Sequence, residues 1–438
     1  MKPSDALPHP ADWSVTTVRD SVELRRGVSW SKDQEQTEPR PDTVPVLGIK
    51  NVQEELDTTD LVHLSGVPSR AKELKKASKG WSIIVGSNGN RNRIGNAVYQ
   101  AADADYLIAS FLIAARPRPS SGIRSDYFFR WLTTYETQAR LSASAEGSTG
   151  LSNLSHAFFR SMEIPFPQDR EQEFIVDILN RTDSLLGQAR TISRLGEKLK
   201  RQVIRQSLHT GVRKGPISLR RCGDIPSHWG CGQLRDFIEE GPTNGLYRPD
   251  SDYGNDGIPI VRIDSFDDGV LHSINTLYRV RLAPIEAKRY GLLARDILIN
   301  RVNSLSHIGK ATIVPALAEE TVFESNIMRV RLKDGLIPEF LNIVLSSDIA
   351  KRHWLSRAKP AVNQASINQR DVRDLWLPLP EPSEQETIVR LVETVQRRVF
   401  SAGLVIAAYN DLKRGLRQGL LKGAIRAHDA FAQSAVRV

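Results

Sequence analysis

The chain has 438 residues, of which 40% are hydrophobic and 25% charged, a composition typical of a globular protein with a sizeable core. Lys and Arg outnumber Asp and Glu by 60 to 51, and the resulting net charge of +9 favours a polyanionic partner. Only two cysteines occur, which excludes a disulfide-rich scaffold and suits a reducing compartment. We find neither a secretory signal in residues 1–13 nor an apolar run of membrane-spanning length, so we expect a cytoplasmic protein.

The predicted elements recur along the chain with a period near 213 residues, which indicates an internal repeat. The matched landmarks, in one order and at nearly one offset, are Trp13 with Trp229, 44–49 with 258–263, 83–85 with 297–299, 94–97 with 308–311, 164–167 with 377–380, 171–173 with 384–386, 199–201 with 412–414 and 205–208 with 417–420. We therefore expect two copies of one fold.

The first part of each copy mixes short strands with short helices. Runs of β-branched residues, broken by Gly, Asn and Pro, predict strands at 44–49, 82–85, 258–263 and 296–299. Short helices that precede a strand are predicted at 69–78 and 284–293. This mixture predicts an α+β fold for each globular part.

The second part of each copy is a single long helix, beginning near Asp169 or Ser383 with acidic residues in its first turn. Apolar or small residues then recur with 4,3 spacing at Ile175, Leu179, Thr182, Leu186, Ala189, Ser193, Gly196, Leu199 and Val203, and at Ile388, Val392, Val395, Val399, Ala402, Ile406, Tyr409, Leu412 and Leu416. Such a stripe predicts a coiled-coil seam. We favour packing of the two long helices on one another, although each could instead pack onto its own domain.

The sequence lacks the constellations that catalysis or metal binding would need. Cys222, His228 and Cys231 are zinc-ligand types, but a structural zinc site takes four ligands, so we expect no metal. Residues 306–312 resemble a phosphate-binding loop, yet they lack its first Gly and the hydroxyl after its Lys. No Asn-Pro-Pro-Tyr string for adenine methylation occurs. The sequence predicts a non-catalytic protein.

These features together resemble the specificity (S) subunit of a type I restriction-modification system. The resemblance is carried by two variable globular units, each opening near Trp13 or Trp229 and each followed by an acidic-Gln-acidic helix start. It includes the strand and loop of residues 300–310 and the Leu-Pro-Leu-Pro string at 377–380. The first copy departs from it at residues 86–87, where Gly-Ser replaces Asn-Arg, which weakens any shared role for those side chains.

The resemblance implies two target-recognition domains, at 1–168 and 214–381, joined and separated by two long antiparallel coiled-coil helices, at 169–213 and 382–426, with a tail at 427–438. Each domain would read half of a bipartite DNA site, and helix length would set the unread spacer. It also implies two methyltransferase subunits carrying S-adenosylmethionine, and restriction subunits using ATP and Mg²⁺, so this chain needs no cofactor of its own.

Side chains that can read bases or hold phosphates cluster in a few predicted loops. The candidate DNA-binding residues are Asn88, Asn90, Arg91, Arg93, Asn244, Tyr247, Arg248, Arg301, Asn303, His307 and Lys310. Weaker candidates are Asn153, His156, Asn363, Gln364, Asn368 and Arg370.

Two other functions stay open at this point. A coiled-coil scaffold with two protein-binding units would bind no specific DNA site and would show no strong salt dependence. A self-contained restriction enzyme is disfavoured by the missing methyltransferase strings.

Overall fold

A computed structural model of the chain describes residues 8–36, 38–147, 150–267, 269–361 and 364–427, except for the side chains of residues 250, 360 and 361. The chain divides into two compact units. The first unit is Met1–Ala189 with Val405–Val438, and the second is Arg190–Leu404. Each unit therefore holds one globular part and a segment of each long helix. The predicted domain boundaries differ from this division, because they place each long helix in a segment of its own.

The first unit contains twelve described strands and the beginning of a long helix. The strands are β1 (Ser14–Thr17), β2 (Val22–Arg26), β3 (Glu35–Gln36), β4 (Val44–Leu47), β5 (Val62–Leu64), β6 (Ser82–Val85), β7 (Ser87–Asn88), β8 (Ala97–Tyr99), β9 (Leu107–Ile108), β10 (Leu112–Pro117), β11 (Ser152–Asn153) and β12 (Glu163–Phe166). The helices are α1 (Val18–Ser21), α2 (Ser69–Leu74), α3 (Ser125–Leu132), α4 (Tyr135–Ala143), α5 (His156–Ser161) and α6 (Asp169–Thr210).

Two four-stranded sheets form the framework of the first unit. One has the antiparallel order β2-β10-β6-β8, and the other has the order β3-β5-β4-β9 with a parallel β4–β9 pair. Helix α3 covers the first sheet, because Tyr127, Phe128 and Trp131 lie at helical spacing and are all buried in the same core as Ile83 and Ile113.

The second unit contains the remaining strands, the shorter helices and the beginning of the second long helix. The strands are β13 (Ile217–Arg220), β14 (Gly223–Pro226), β15 (Gly230–Gln233), β16 (Ile238–Asn244), β17 (Tyr253–Gly254), β18 (Ile258–Val261), β19 (Phe266–Asp267), β20 (Val270–Leu271), β21 (Arg279–Val280), β22 (Ile297–Asn300), β23 (Val302–Asn303), β24 (Ala311–Ile313), β25 (Val322–Phe323), β26 (Ile327–Leu332), β27 (Lys359–Ala361), β28 (Gln364–Ser366) and β29 (Trp376–Leu379). The helices are α7 (Pro284–Tyr290), α8 (Pro338–Leu345), α9 (Asp348–Arg357), α10 (Gln369–Arg373) and α11 (Pro382–Leu421).

The two four-stranded sheets of the second unit repeat those of the first strand for strand. Their orders are β16-β26-β22-β24 and β17-β21-β18-β25, and the β15–β29 pair corresponds to β1–β12. The predicted repeat, the α+β class and the strands near 44–49, 82–85, 258–263 and 296–299 are thereby confirmed. Both predicted short helices are present but end earlier than expected, at Leu74 and Tyr290.

Each unit requires a glycine at the same position of its strand framework, because the backbone there is left-handed and closely packed. Gly95 and Gly309 have positive φ angles of 92° and 73°, a conformation that side chains disfavour. A Cβ at Gly95 would also lie 2.8 Å from the Leu141 side chain, and one at Gly309 would fall inside the Trp354 indole. These glycines let the loop after β6 or β22 pack directly on α4 or α9.

A buried glutamine anchors each long helix to its own domain. The Gln172 amide donates to the carbonyl oxygens of Pro167 and Gly122 at 2.9 and 2.8 Å, and its carbonyl accepts from the Arg124 N–H at 2.9 Å. Gln385 makes the same three contacts, with Pro380 and Gly335 as acceptors and the Ile337 N–H as donor. The glutamine of the acidic-Gln-acidic motif therefore fixes the start of each long helix to the globular part that precedes it.

The two long helices pack antiparallel within each unit, as predicted. In the second unit Gly196 of α6 faces Val399 of α11, and Val212, just beyond the end of α6, donates to Glu384 near the start of α11. In the first unit the Asp183 carboxylate lies 2.6 Å from the Lys413 ammonium. Gly196 thus gives close packing at the seam.

Two predicted seam positions are wrong. Leu199 and Leu412 are each 49% exposed, whereas the neighbouring Lys200 is only 5% exposed. A strict 3.5-residue repeat drifts around a straight helix of 3.6 residues per turn, so after more than three heptads the next residue takes the inward position. The same shift at the same place in both copies is a further sign of the repeat.

The start of each long helix carries a glutamate, buried at Glu384 and half-buried at Glu171, with different partners in the two units. Glu384 accepts from the Val212 N–H at 2.8 Å and the Trp229 indole N–H at 3.0 Å. Glu171 instead forms an ion pair with Arg426 at 2.7 Å. The framework is shared, but its polar contacts have diverged.

Within the described ranges, no helix combines the length and apolar character needed to cross a membrane.

Candidate nucleic-acid interface

Three backbone segments of the second unit converge at one edge of its sheets. The Leu246 N–H donates to the Phe323 carbonyl at 2.8 Å, the Ser325 N–H to the Leu246 carbonyl at 2.8 Å, and the Arg301 N–H to the Asn326 carbonyl at 2.8 Å. We call residues 244–248, 301–310 and 324–326 the second rim. Sequence-predicted candidates that lie far apart in the chain are thus brought side by side.

The first unit builds the same edge from corresponding segments. The Val28 N–H donates to the Ile108 carbonyl at 2.8 Å, the Ser110 N–H to the Val28 carbonyl at 2.7 Å, and the Gly86 N–H to the Phe111 carbonyl at 2.8 Å. We call residues 27–30, 86–93 and 109–111 the first rim. Both edges need a close backbone approach, since a Cβ at Gly27 or Gly245 would overlap carbonyl oxygens of the facing strand.

The two arginines of the first rim are braced by backbone carbonyls. The Arg91 guanidinium donates to Ser142, Ala143 and Ala145 at 3.0, 2.7 and 3.0 Å, which caps the end of α4. The Arg93 guanidinium donates to the Val52 carbonyl at 2.6 Å. A guanidinium has five N–H donors, and the three bonds of Arg91 use Nε and Nη2. Its Nη1 is not used in them, and the side chain is held in one orientation.

The asparagines of the first rim shape the loop itself. The Asn88 side-chain oxygen accepts from the Asn90 N–H at 2.8 Å, and that of Asn90 accepts from the Asn92 N–H at 3.0 Å. Asn153, on the strand paired with β7, accepts from the Ser87 hydroxyl at 2.6 Å. These bonds use the asparagine oxygens and not their amide N–H groups, and Asn90 is exposed.

His156 lies beside the first rim with a cationic neighbour. Its Nε2 is 2.9 Å from the Arg26 guanidinium. Burial, followed by the charges of Arg26 and Arg160, lowers the pKa of His156. The imidazole is therefore neutral at pH 7, and its nitrogen accepts from Arg26.

In the second rim, Asn303 and His307 are held by neighbouring polar groups. The Asn303 side-chain oxygen accepts from the Ser304 N–H at 2.8 Å, and His307 Nδ1 lies 2.8 Å from the Ser304 hydroxyl. Arg301 donates to the Ser325 carbonyl at 3.2 Å, which ties two segments of the rim together. His307 is exposed, whereas Arg301 and Asn303 are half-buried.

Two predicted cationic residues of the second rim are engaged in ion pairs. Lys310 lies 2.9 Å from Asp267, and the hydrogen bond from its ammonium is the main reason that the pKa of Asp267 is lowered. Arg248 lies 2.6 Å from Glu286, which belongs to helix α7. The neighbouring Tyr247 is 74% exposed, and Asn244 is also exposed.

The weaker candidates of the second unit lie on or next to β28 in the sequence, and β28 pairs with β23 of the rim. Asn368 caps α10 by accepting from the Arg370 N–H at 2.8 Å, while the Arg370 side chain is 86% exposed. Gln364 is exposed, and Asn363 lies outside the described residues. DNA contact by any of these residues stays a prediction.

Sequence reasoning missed one side chain at the first rim. Phe111 is 47% exposed at the turn between β9 and β10, next to the loop that begins at Gly86. A phenylalanine between two buried strands has the pattern of a core residue, so only the rule that tight turns lie on the surface could have identified it. Its counterpart in the second rim is Asn326.

Comparisons with known proteins agree on one family. The sequence profile described as "Type I restriction modification DNA specificity domain" matches residues 10–193 and 226–400. The chain is 26% identical over 434 residues to the type I restriction enzyme EcoKI specificity subunit of Escherichia coli K12, covering 95% of this chain and 90% of that protein. It is 26% identical over 435 residues to the StySPI specificity subunit of Salmonella potsdam, with the same coverage.

The fold is similar to that of a solved relative, the S subunit of a type I restriction-modification system from M. genitalium. That structure has a TM-score of 0.56 and 13% identity, and the match covers 96% of this chain and 99% of the other. The profile match falls on both copies of the repeat and on most of the chain. The chain therefore belongs to the type I restriction modification DNA specificity domain family.

Proposed function

We propose that the two rims are two DNA readers, each contacting one half of an asymmetric, bipartite site. One observation carries this proposal: the strand framework that positions the rims is the same in both units, while the side chains at the rims differ. A shared scaffold with different reading groups is what recognition of two different half-sites requires.

The chemistry of the rims supports base and phosphate contact. Asn90 and Asn303 carry amides that can bond adenine edges, and a fixed arginine such as Arg91 can bond guanine or phosphate. Arg91 and Arg93 enter this role already oriented by carbonyl bonds, so little conformational freedom is lost on binding.

The chain selects the site and leaves the chemistry to its partners. Two methyltransferase subunits with S-adenosylmethionine dock on it and methylate adenine, and restriction subunits using ATP and Mg²⁺ complete the nuclease. The length of the long helices sets the number of unread base pairs between the half-sites. Family membership supports these assignments, and in this proposal the chain supplies recognition in a host-defence complex of the cytoplasm.

Methylome sequencing tests the proposal. Cells expressing the chain with its methyltransferase subunit should show methylated adenines in one bipartite motif. Deleting one seam-preserving heptad from both α6 and α11 should shorten the spacer and leave both half-site sequences unchanged, since a heptad shortens the helices by about 10 Å.

A contiguous motif, or a spacer that never responds to helix length, would contradict the proposal. A scaffold that binds only proteins would give no methylated motif in any of these cells. The purified scaffold would also show no site-specific DNA affinity and no strong salt dependence of DNA binding.

A further inference from the structure

A buried carboxylate distinguishes the second rim from the first. Glu324, at the start of the rim segment 324–326, is only 6% exposed, and its backbone N–H donates to the Val261 carbonyl at 3.0 Å. The residue with the same contact in the first unit is Ala109, whose N–H donates to the Leu47 carbonyl at 2.9 Å. Ala109 is buried as well, so the strand framework needs no charge at this position. Burial of a carboxylate costs free energy unless the group is paired, so packing alone does not account for Glu324.

The Glu324 carboxylate holds the chain segment that follows β18. One of its oxygens accepts from the Ile263 N–H at 2.7 Å, and the other lies 3.6 Å from Nε of Arg262. At 3.6 Å this ion pair is not a hydrogen bond, and Nε of Arg262 is buried with no hydrogen-bond partner among the described residues. The carboxylate therefore attracts the guanidinium without accepting a hydrogen bond from its Nε.

Two tyrosine rings contact the same guanidinium. Its central carbon lies 4.9 Å from the centre of the Tyr253 ring and 5.3 Å from that of Tyr278. Such cation–π contacts fix a guanidinium and leave its N–H groups able to donate. The Arg262 side chain is 28% exposed, so a ligand can reach it. We call Glu324, Arg262 and the two tyrosines the arginine cluster.

The arginine cluster adjoins every segment of the second rim. Glu324 belongs to the rim, and it forms a parallel bridge with Leu246 of the neighbouring segment. The Ile263 carbonyl accepts from the Asn300 amide at 3.4 Å, and Asn300 directly precedes the segment 301–310. The cluster is therefore part of the surface that the rim presents, although none of its members is among the sequence-predicted DNA-binding residues.

The first unit has neither charge of the cluster. Gly48 stands where Arg262 stands in the second unit, because each directly follows the last residue of the equivalent strand, β4 or β18. Ala109 stands at the position of Glu324. The guanidinium and its carboxylate thus occur together in one unit of the repeat, where they can serve only that unit's half of a DNA site.

We infer that Arg262 is a specificity-determining residue that bonds a guanine in the half-site read by the second rim. This inference rests on the proposed function of the rims as DNA readers. A fixed guanidinium donates to O6 and N7 of guanine together, a contact that distinguishes a G·C pair from the other base pairs. Because Nε is buried, the two Nη groups are the donors. Glu324 is a positioning residue, since it acts through Arg262.

The test compares two double variants that each remove one ion pair and leave the net charge unchanged. The first is Arg262→Ala with Glu324→Ala, which leaves no unpaired buried carboxylate and gives the second unit the alanine that the first unit has. The matched control is Arg281→Ala with Asp256→Ala, an exposed pair of the same unit at 3.1 Å. A third variant, Arg262→Lys, keeps the charge but loses the bidentate geometry.

Each chain is expressed with the methyltransferase subunit encoded beside it, and methylome sequencing gives the methylated fraction for each base at each motif position. Thermal unfolding of the purified chains reports whether each variant is folded. We expect the double variant at Arg262 and the Arg262→Lys variant to lose discrimination at one G·C pair, by about ten- to a hundredfold, with the other half-site intact. The control should keep the wild-type motif.

An unchanged motif in the Arg262 variants would overturn the inference, and so would a relaxed position in the half-site that first-rim substitutions change. A uniform loss of methylation at every site would also overturn it, and rescue of that loss by Arg262→Lys would identify a phosphate contact instead. Wild-type cells without any bipartite methylated motif would contradict the proposed function.

Discussion

The two units of this chain share the order of their main sheets and their helix anchors, yet differ in several polar contacts around that framework. Gln172 and Gln385 make the same three hydrogen bonds, whereas Glu171 and Glu384 at the adjacent position accept from unrelated donors. The contacts of the glutamine anchors have been kept, and those of the neighbouring glutamates have changed. Side chains that bond to the backbone are constrained by the fold, whereas the side chains of the two rims differ between the units.

The largest expected loss of stability comes from substituting the two framework glycines, and it should differ between the units. Gly309→Ala should destabilise the second unit by about 4 kcal/mol, because the left-handed backbone and the overlap with Trp354 both oppose a methyl group. Gly95→Ala should cost the first unit about 2 kcal/mol, since its Cβ would meet the more adaptable Leu141. Hydrogen exchange of amides in each unit measures both. Equal losses of unfolding free energy in the two variants would show that the packing of the glycine on α4 is no looser than its packing on α9.

The glutamine anchors should instead behave alike. Gln172→Ala and Gln385→Ala each remove three hydrogen bonds to buried backbone groups, so each should destabilise its own unit by about 3 kcal/mol. Urea unfolding followed by hydrogen exchange reports the two units separately. A loss confined to one unit, or one below about 1 kcal/mol in both, would contradict the assignment of these residues as equivalent anchors.

Glu384 should make the second unit sensitive to acid. Burial alone would raise the pKa of Glu384, but hydrogen bonds from the Val212 N–H, Trp229 and His228 outweigh it and lower that pKa below 4.5. A lowered folded-state pKa gives stability above the unfolded value that is lost as pH falls through the folded value. Glu384→Gln should therefore cost about 2 kcal/mol at pH 7 and progressively less below about pH 4.5.

The thermal midpoint of wild type and Glu384→Gln, followed from pH 7 to pH 3, checks this dependence. The two curves should converge on the acid side. A difference that grows as the pH falls would mean that the carboxylate is not the stabilising form.

The smallest effect concerns the helix seam. A methyl group added at Gly187 would have no neighbour within 4 Å, so Gly187→Ala should stabilise α6 by about 0.5–1 kcal/mol. Gly196→Ala gains the same helix propensity, but its Cβ would lie 2.9 Å from Val399 Cγ2, so we expect no net gain. Thermal unfolding of the two variants side by side measures the difference. Equal stabilisation would show that the seam is not closely packed at Gly196.

The repeat, the fold class and the long helices could be predicted from the sequence because they rest on periodic apolar patterns and on landmarks in a fixed order. The failures at Leu199 and Leu412 arise because a heptad count ignores the drift of a straight helix. The convergence of the rim segments could not be predicted, since it depends on strand pairing between distant residues. The ion pairs of Arg248 and Lys310 could not be predicted from the sequence either, because their partners Glu286 and Asp267 lie about 40 residues away in the chain.

The central claim is that each rim reads its own half-site, and methylome sequencing of two rim variants tests it most directly. Asn88→Ala with Asn90→Ala alters the first rim, and Asn303→Ala with His307→Ala alters the second. We predict that each pair relaxes or changes one half of the methylated motif, at about 1–3 kcal/mol per lost base contact, and leaves the other half intact. Variants that change both halves together, or that change the same half, would contradict the account.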